Sequence, residues 1–117
     1  MEIKGDAKLL RIFISNTDKL KFSSLSETIV YAARRNGLAG ATVLKGIMGY
    51  GSSSLIYSNK FWEITEKVPV IIEIIDESEK IDEFIEKILP WFDKLRNGCM
   101  ITVEKVNIVL YKTGKKK

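Results

Sequence analysis

The chain has 117 residues, 45% hydrophobic and 29% charged, a length and balance that suit one soluble globular domain with a single core and little surface to spare. Histidine is absent and Cys99 is the single cysteine, which excludes an intrachain disulfide, a Cys-His or Ser-His catalytic pair within the chain, and the commonest zinc ligand. The net charge of +4 sits at one end, because residues 1–111 balance acid against base and Lys112, Lys115, Lys116 and Lys117 supply the excess. A basic tail over 112–117 without interleaved aromatics reads as a solvated terminus, so nucleic-acid binding is disfavoured. No apolar run approaches the roughly 20 residues of a membrane helix. The polar start Met1 to Asp6 does not resemble a secretory leader. No membrane insertion and a cytoplasmic location are the resulting expectations.

Alternation from Lys8 to Ser15 predicts a first strand, with Leu10, Ile12 and Ile14 on one face and Leu9, Arg11 and Phe13 on the other. Ser24 and Glu27 then form a capping box. Leu25, Ile29, Ala32 and Ala33 recur at helical spacing, and Asn36-Gly37 supplies a left-handed stop, so the first helix runs from about Leu25 to Asn36. Ala41 to Ile47 reads as a second strand and Val68 to Ile75 as a third. Asp76 with Glu79 offers a second cap, and Ile81, Phe84, Ile85, Ile88, Leu89, Phe92 and Leu95 define one face of a long amphipathic helix ending at Asn97-Gly98. Pro90 within it requires a kink or a restart. Met100 to Tyr111 is extended, with a change of apolar parity that predicts a bulge or a change of sheet edge.

This order, strand-helix-strand-strand-helix-strand, predicts an α+β fold: a ferredoxin-like split βαβ sandwich (βαββαβ) spanning 1–117 as a single domain, with a long loop over about 51–67 between the second and third strands. Val68, Val70, Ile72 and Ile74 share one parity of the third strand while Ile71 and Ile75 share the other. Two apolar faces on one strand predict a second subunit against the open side of the sheet.

The segments Gly37-Leu38-Ala39-Gly40-Ala41-Thr42-Val43, Gly46-Ile47-Met48-Gly49-Tyr50-Gly51, Val68 to Asp76 and Gly98 to Val106 resemble the DUF190 (UPF0166) family, which is similar in fold to the PII nitrogen-regulatory signalling proteins. The resemblance implies a homotrimer with an adenine nucleotide or other small anionic ligand in clefts between subunits. The long loop would engage a protein target such as a transporter or metabolic enzyme. Carried onto this chain, the cleft would use Thr42, Lys45, Gly46, Gly49, Tyr50 and Gly51, with Asn97 and Gly98 from the turn before the last strand. Leu55, Tyr57, Phe61 and Trp62 would form the partner-binding surface of the loop. The turn Arg96-Asn97-Gly98-Cys99 lacks the phosphate-binding lysine of PII proteins, and Ile108 and Leu110 stand where two arginines are expected. A nucleotide smaller than ATP, or another anion, is the ligand these departures leave.

Other readings accompany the main one. Gly46, Gly49 and Gly51 equally suit a bulged strand that needs close packing. A small enzyme would use Lys45 or Glu73 in the same cleft, though a nucleophile and base pair is lacking. A structural or nucleic-acid-binding trimer is the third. The acidic run Asp76, Glu77, Glu79, Asp82 and Glu83 reads as capping and a solvated helix turn rather than a metal site. No catalytic residue, metal or cofactor is expected.

Overall fold

The computed structural model describes residues 6–51, 57–58 and 67–114. Its elements in chain order are β1 (Ala7–Ser15), β2 (Lys19–Leu20), β3 (Ser23–Ser24), α1 (Leu25–Arg35), β4 (Thr42–Lys45), β5 (Met48–Gly49), β6 (Tyr57–Ser58), β7 (Pro69–Glu77), α2 (Ser78–Phe92) and β8 (Met100–Val106). The principal sheet has the order β4-β7-β1-β8 and is antiparallel throughout. With both helices on one face this is the ferredoxin-like arrangement.

β1 and β7 pair without a bulge from Ala7↔Glu77 to Ser15↔Pro69. Because side chains alternate across a strand, that register puts Leu10, Ile12 and Ile14 beside Val70, Ile72 and Ile74 on one face, where all six are buried. Leu25, Ile29, Ala32 and Ala33 of α1 and Ile81, Phe84 and Ile88 of α2 close over them in one core. Truncating a residue such as Ile72, which is fully buried, would cost about 2–5 kcal/mol.

The helix ends follow local chemistry. Ser24 Oγ accepts from Glu27 N at 3.4 Å. Beyond α1, Gly37 takes φ +76° while its N–H donates to Arg34 O at 3.1 Å and Leu38 N donates to Ala33 O at 3.1 Å. This paired closure is the Schellman stop that Asn36-Gly37 predicts. The second helix differs from expectation. Its N-cap is Glu77, without a side-chain capping bond. Pro90 sits inside the final turn, and the helix ends at Phe92 rather than continuing to Leu95, since proline leaves the carbonyl four residues earlier without its helical donor.

Asp76, placed at that cap by the sequence, has a different role. It is fully buried; its Oδ1 accepts from Glu77 N at 2.7 Å and its Oδ2 from Ala39 N at 2.8 Å. The carboxylate thereby ties the β7–α2 junction to the segment entering β4. At the other end of the chain, pairing stops at Val106. The parity change, from which a bulge or a change of sheet edge is expected, brings no bulge: β8 stays in register with β1 through Val103 and Val106, and residues 107–114 form no strand. Two short ribbons join β2 to β3 and β5 to β6, so the connection between β4 and β7 starts as a paired ribbon.

The second face of the sheet is not covered by the helices. Leu9, Phe13, Ile71, Ile75, Leu44 and Met100 share it by register. At its centre Arg11 Nε donates to Glu73 Oε2 at 2.9 Å and Arg11 Nη1 to Glu104 Oε1 at 2.7 Å. The hydrogen bond to Glu73, ahead of the contributions from Glu104, holds the guanidinium proton more tightly than in a free arginine.

Asp76→Ala is expected to lower unfolding free energy by about 1–3 kcal/mol, the usual cost of stranding donors that the native state had satisfied. Urea denaturation of the variant against the parent protein measures this, and an unchanged midpoint would show that water replaces the carboxylate.

Candidate functional site

The register of the sheet brings three chain segments to one end. Ser15 lies opposite Pro69, and Phe13 opposite Met100, so the end of β1 and the beginnings of β7 and β8 are neighbours. A cavity of about 540 Å³ opens there, within the roughly 300–1,000 Å³ range of small-molecule sites. β1 contributes Phe13 to Ser15, the start of β7 contributes Lys67, Val68 and Pro69, and the α2–β8 turn contributes Arg96 to Met100. Gly49, Tyr50 and Gly51 complete the wall.

Hydrogen bonds fix this end of the sheet. Asn16 N donates to Val68 O at 3.1 Å, and Val68 N donates to Asn16 Oδ1 at 2.9 Å. Asp18 is only 5% exposed; its Oδ2 accepts from Ser15 N at 2.8 Å and its Oδ1 from Asn97 Nδ2 at 2.8 Å. Asn97 Oδ1 in turn accepts from Lys67 Nζ at 3.0 Å. One chain of contacts thus runs from the β1 turn through the α2–β8 turn to the segment that leads into β7.

Of the positions singled out in the sequence, Gly49, Tyr50, Gly51, Asn97 and Gly98 line the cavity together. Thr42, Lys45 and Gly46 are not among its lining residues. Thr42 and Lys45 are exposed on the edge strand β4, three positions apart and therefore on opposite faces of the sheet. Glu73, the carboxylate of the enzyme reading, belongs to the Arg11 network. Tyr57 belongs to the backbone of β6, while Leu55, Phe61 and Trp62 lie outside the described residues. Lys67, Arg96 and Cys99 line the cavity without having been picked as ligand contacts. No local pattern marks them, because it is the β1 register that gathers them.

The glycines have separate roles. A Cβ on Gly46 would stand 2.7 Å from Pro69 Cγ and 3.2 Å from Pro69 O, and one on Gly49 would stand 3.1 Å from Pro69 Cγ. Gly46 N also donates to Pro69 O at 2.7 Å. Close approach to the proline at the head of β7 accounts for both residues. At Gly51 a Cβ would meet nothing within 4 Å, so its place in the cavity wall is not dictated by packing.

Cys99 is exposed and immediately precedes β8. Partial burial against the cavity wall pushes its thiol up, and the negative charge of Asp18 acts in the same direction. Among the described residues no cluster of three or more potential metal ligands occurs.

Compared with known proteins, residues 7–108 match the family DUF190, described as Uncharacterized ACR, COG1993. A UPF0166 protein of Aquifex aeolicus (strain VF5) is 37% identical over 102 residues, covering 87% of this chain and 92% of the relative. A UPF0166 protein of Methanocaldococcus jannaschii is 30% identical over 102 residues, covering 87% and 91%. Among solved structures, CPII of Thiomonas intermedia K12 bound to ADP and bicarbonate aligns with a TM-score of 0.58 at 20% identity, over 90% of this chain and 93% of that one. A protein of Thermus thermophilus described as PII-like and signalling aligns with a TM-score of 0.61 at 18% identity, over 86% and 87%. At these identities the two structures establish a shared PII-like fold.

Two measurements test the local account. Gly46→Ala is expected to destabilise by about 1–3 kcal/mol through overpacking against Pro69, whereas Gly51→Ala should leave the unfolding midpoint within error; equal effects would refute the distinction. For Cys99, a raised thiol affinity for its proton means less thiolate at any given pH below the midpoint. Alkylation by iodoacetamide should therefore reach half its maximal rate at a higher pH than a short unstructured peptide with one internal cysteine measured alongside, and a lower midpoint would contradict the assigned surroundings.

Proposed function

Because the chain belongs to the DUF190 family and carries a PII-like fold, we propose that it is a regulatory binding protein, not an enzyme, that takes an adenine nucleotide or another small anionic ligand in the cavity at the end of β1. The observation that carries this reading is the meeting of Gly49–Gly51 with Lys67–Pro69 in one wall. Those two stretches lie towards the two ends of the long connection between β4 and β7, so a ligand seated there touches it on both sides. Such a ligand biases the connection to the extent that it binds one arrangement better than another. Support also comes from CPII, a protein of the same fold that binds ADP and bicarbonate.

In this proposal the protein is a cytoplasmic homotrimer associated through the open sheet face, and Leu55, Tyr57, Phe61 and Trp62 present the signal to a transporter or metabolic enzyme. The apolar residues beside the Arg11 network favour association with like surfaces. Against catalysis stand the chemistry of the cavity and of its thiol. Among the described residues its lining holds no carboxylate, the chain has no histidine, and Cys99 resists forming the nucleophilic thiolate. Lys45 and Glu73 are elsewhere.

Thermal melts with adenine and guanine mono-, di-, tri- and cyclic nucleotides test the ligand reading. A ligand at 100 times its dissociation constant should add about 2.7 kcal/mol to apparent stability, and Gly51→Val, which intrudes on the cavity, should abolish the gain. Absence of any shift across the panel would refute nucleotide binding. Light scattering on the eluting protein should give three times the 13.3 kDa chain mass, and a monomer would remove the proposed assembly.

A further inference from the structure

Arg96 to Met100 line the cavity as one continuous stretch. Since α2 ends at Phe92 and β8 begins at Met100, most of that wall lies between helix and strand, where position depends on individual contacts rather than on a regular backbone ladder. Leu95 packs against the core, and its N–H donates to Phe92 O at 3.2 Å. Further along, Asn97 Nδ2 donates to Asp18 Oδ1 at 2.8 Å.

Asp18 is not among the residues that line the cavity, yet it is built firmly into the end of β1. It is almost fully buried. Its N–H donates to Ser15 O at 3.1 Å, its carbonyl accepts from Leu25 N at 2.9 Å, and its Oδ2 accepts from Ser15 N at 2.8 Å. The carboxylate therefore joins the end of β1 and the start of α1 to the turn that forms the wall.

These bonds have a direction. A lysine ammonium only donates, and an ionised carboxylate only accepts. Asn97 stands between one of each, with its Oδ1 accepting from Lys67 Nζ and its Nδ2 donating to Asp18, so a single orientation of its amide satisfies both neighbours. In Asp18→Asn an amide N–H replaces one of the two acceptors. It must face either Ser15 N or Asn97 Nδ2, both donors, and a compensating flip of Asn97 would turn its own Nδ2 toward Lys67. No arrangement of two amides keeps all three bonds. The double exchange Asp18→Asn with Asn97→Asp does keep them: the amide at position 18 accepts from Ser15 N and donates to the carboxylate at position 97, which accepts from Lys67.

Resting on the nucleotide-binding reading above, we propose that Asp18 is a positioning residue for the ligand site: through Asn97 it sets the wall from Arg96 to Met100 against the end of β1, and the affinity of the cavity for a nucleotide depends on that bond although Asp18 lies outside the wall.

Calorimetric titration of the full chain with AMP and ADP tests this. Asp18→Asn is expected to weaken both about 10-fold, the order of one lost hydrogen bond to a charged group, and the double exchange should recover most of the parent affinity. Ile72→Val, a core change outside the cavity lining, should lower the urea midpoint while leaving affinity as in the parent. Asn97→Ala, at a half-buried turn position, cuts the same tie and should weaken both nucleotides even if Asp18→Asn does not fold.

If Asp18→Asn binds ADP as the parent does, or if the double exchange binds as weakly as the single variants, the positioning role is overturned while nucleotide binding stands. Equal loss of affinity in Ile72→Val would likewise overturn it, by making affinity a measure of general stability. If the parent binds neither nucleotide, the ligand reading and the positioning role fall together.

Discussion

Nine consecutive residues of β1 face nine of β7 in unbroken register, and the arrangement of both sheet faces and of the cavity depends on that alignment. A slip by one residue would exchange the faces, sending Leu10, Ile12 and Ile14 to the uncovered side and the Arg11 guanidinium into the helix-covered core. The same register sets where the strands end. With Ser15 opposite Pro69, the turn that follows β1 lies beside the residues that precede β7. Asp18 can then reach Asn97. The cavity is a consequence of strand ends held together by pairing along their length.

Pro69 turns this alignment into a shape. At the first position of β7 its missing N–H is tolerated, while its carbonyl receives Gly46 N and its ring fills the space that side chains at positions 46 and 49 would need. The close packing steers residues 46–51 along the head of β7 and lets Gly49 and Gly51 share the wall with Lys67. Two of the three glycines are thus explained by proline packing, leaving Gly51 as the position where cavity and packing can be separated by substitution.

Much of the fold was legible because its signals are local. Alternation in β1, the amphipathic spacing of Ile81, Phe84 and Ile88, and the Asn36-Gly37 stop each act over a few residues, and the structure repeats them. The resemblance to DUF190, met by a family match over residues 7–108, supplied the connectivity that local signals leave open. What escaped was non-local. Asp76 resembles a helix cap in sequence, but one of its oxygens serves Ala39, which lies far back in the chain. Lys67 looks like the last residue of a polar connection until the sheet sets it beside Asn97. Among the residues proposed from sequence, those on the turn and at Gly49–Gly51 share the cavity, whereas Thr42 and Lys45 follow the edge strand away from it.

The open sheet face bears on how several copies would fit together. A charged residue between apolar neighbours ordinarily opposes burial, since removing an unpaired charge from water is costly. Arg11 arrives at that face already bonded to Glu73 on one neighbouring strand and Glu104 on the other. Its guanidinium is thereby satisfied within one chain before any partner approaches, and Leu9, Phe13, Ile71 and Ile75 surround it with apolar surface. The network nevertheless carries one negative charge more than positive, so copies meeting directly through it would repel one another unless a cation or a donor from the facing subunit intervened. In the proposed trimer the apolar ring would drive association, while the Arg11 network, unable to meet its own kind at close range, would favour an offset between subunits over head-on stacking of the three sheets.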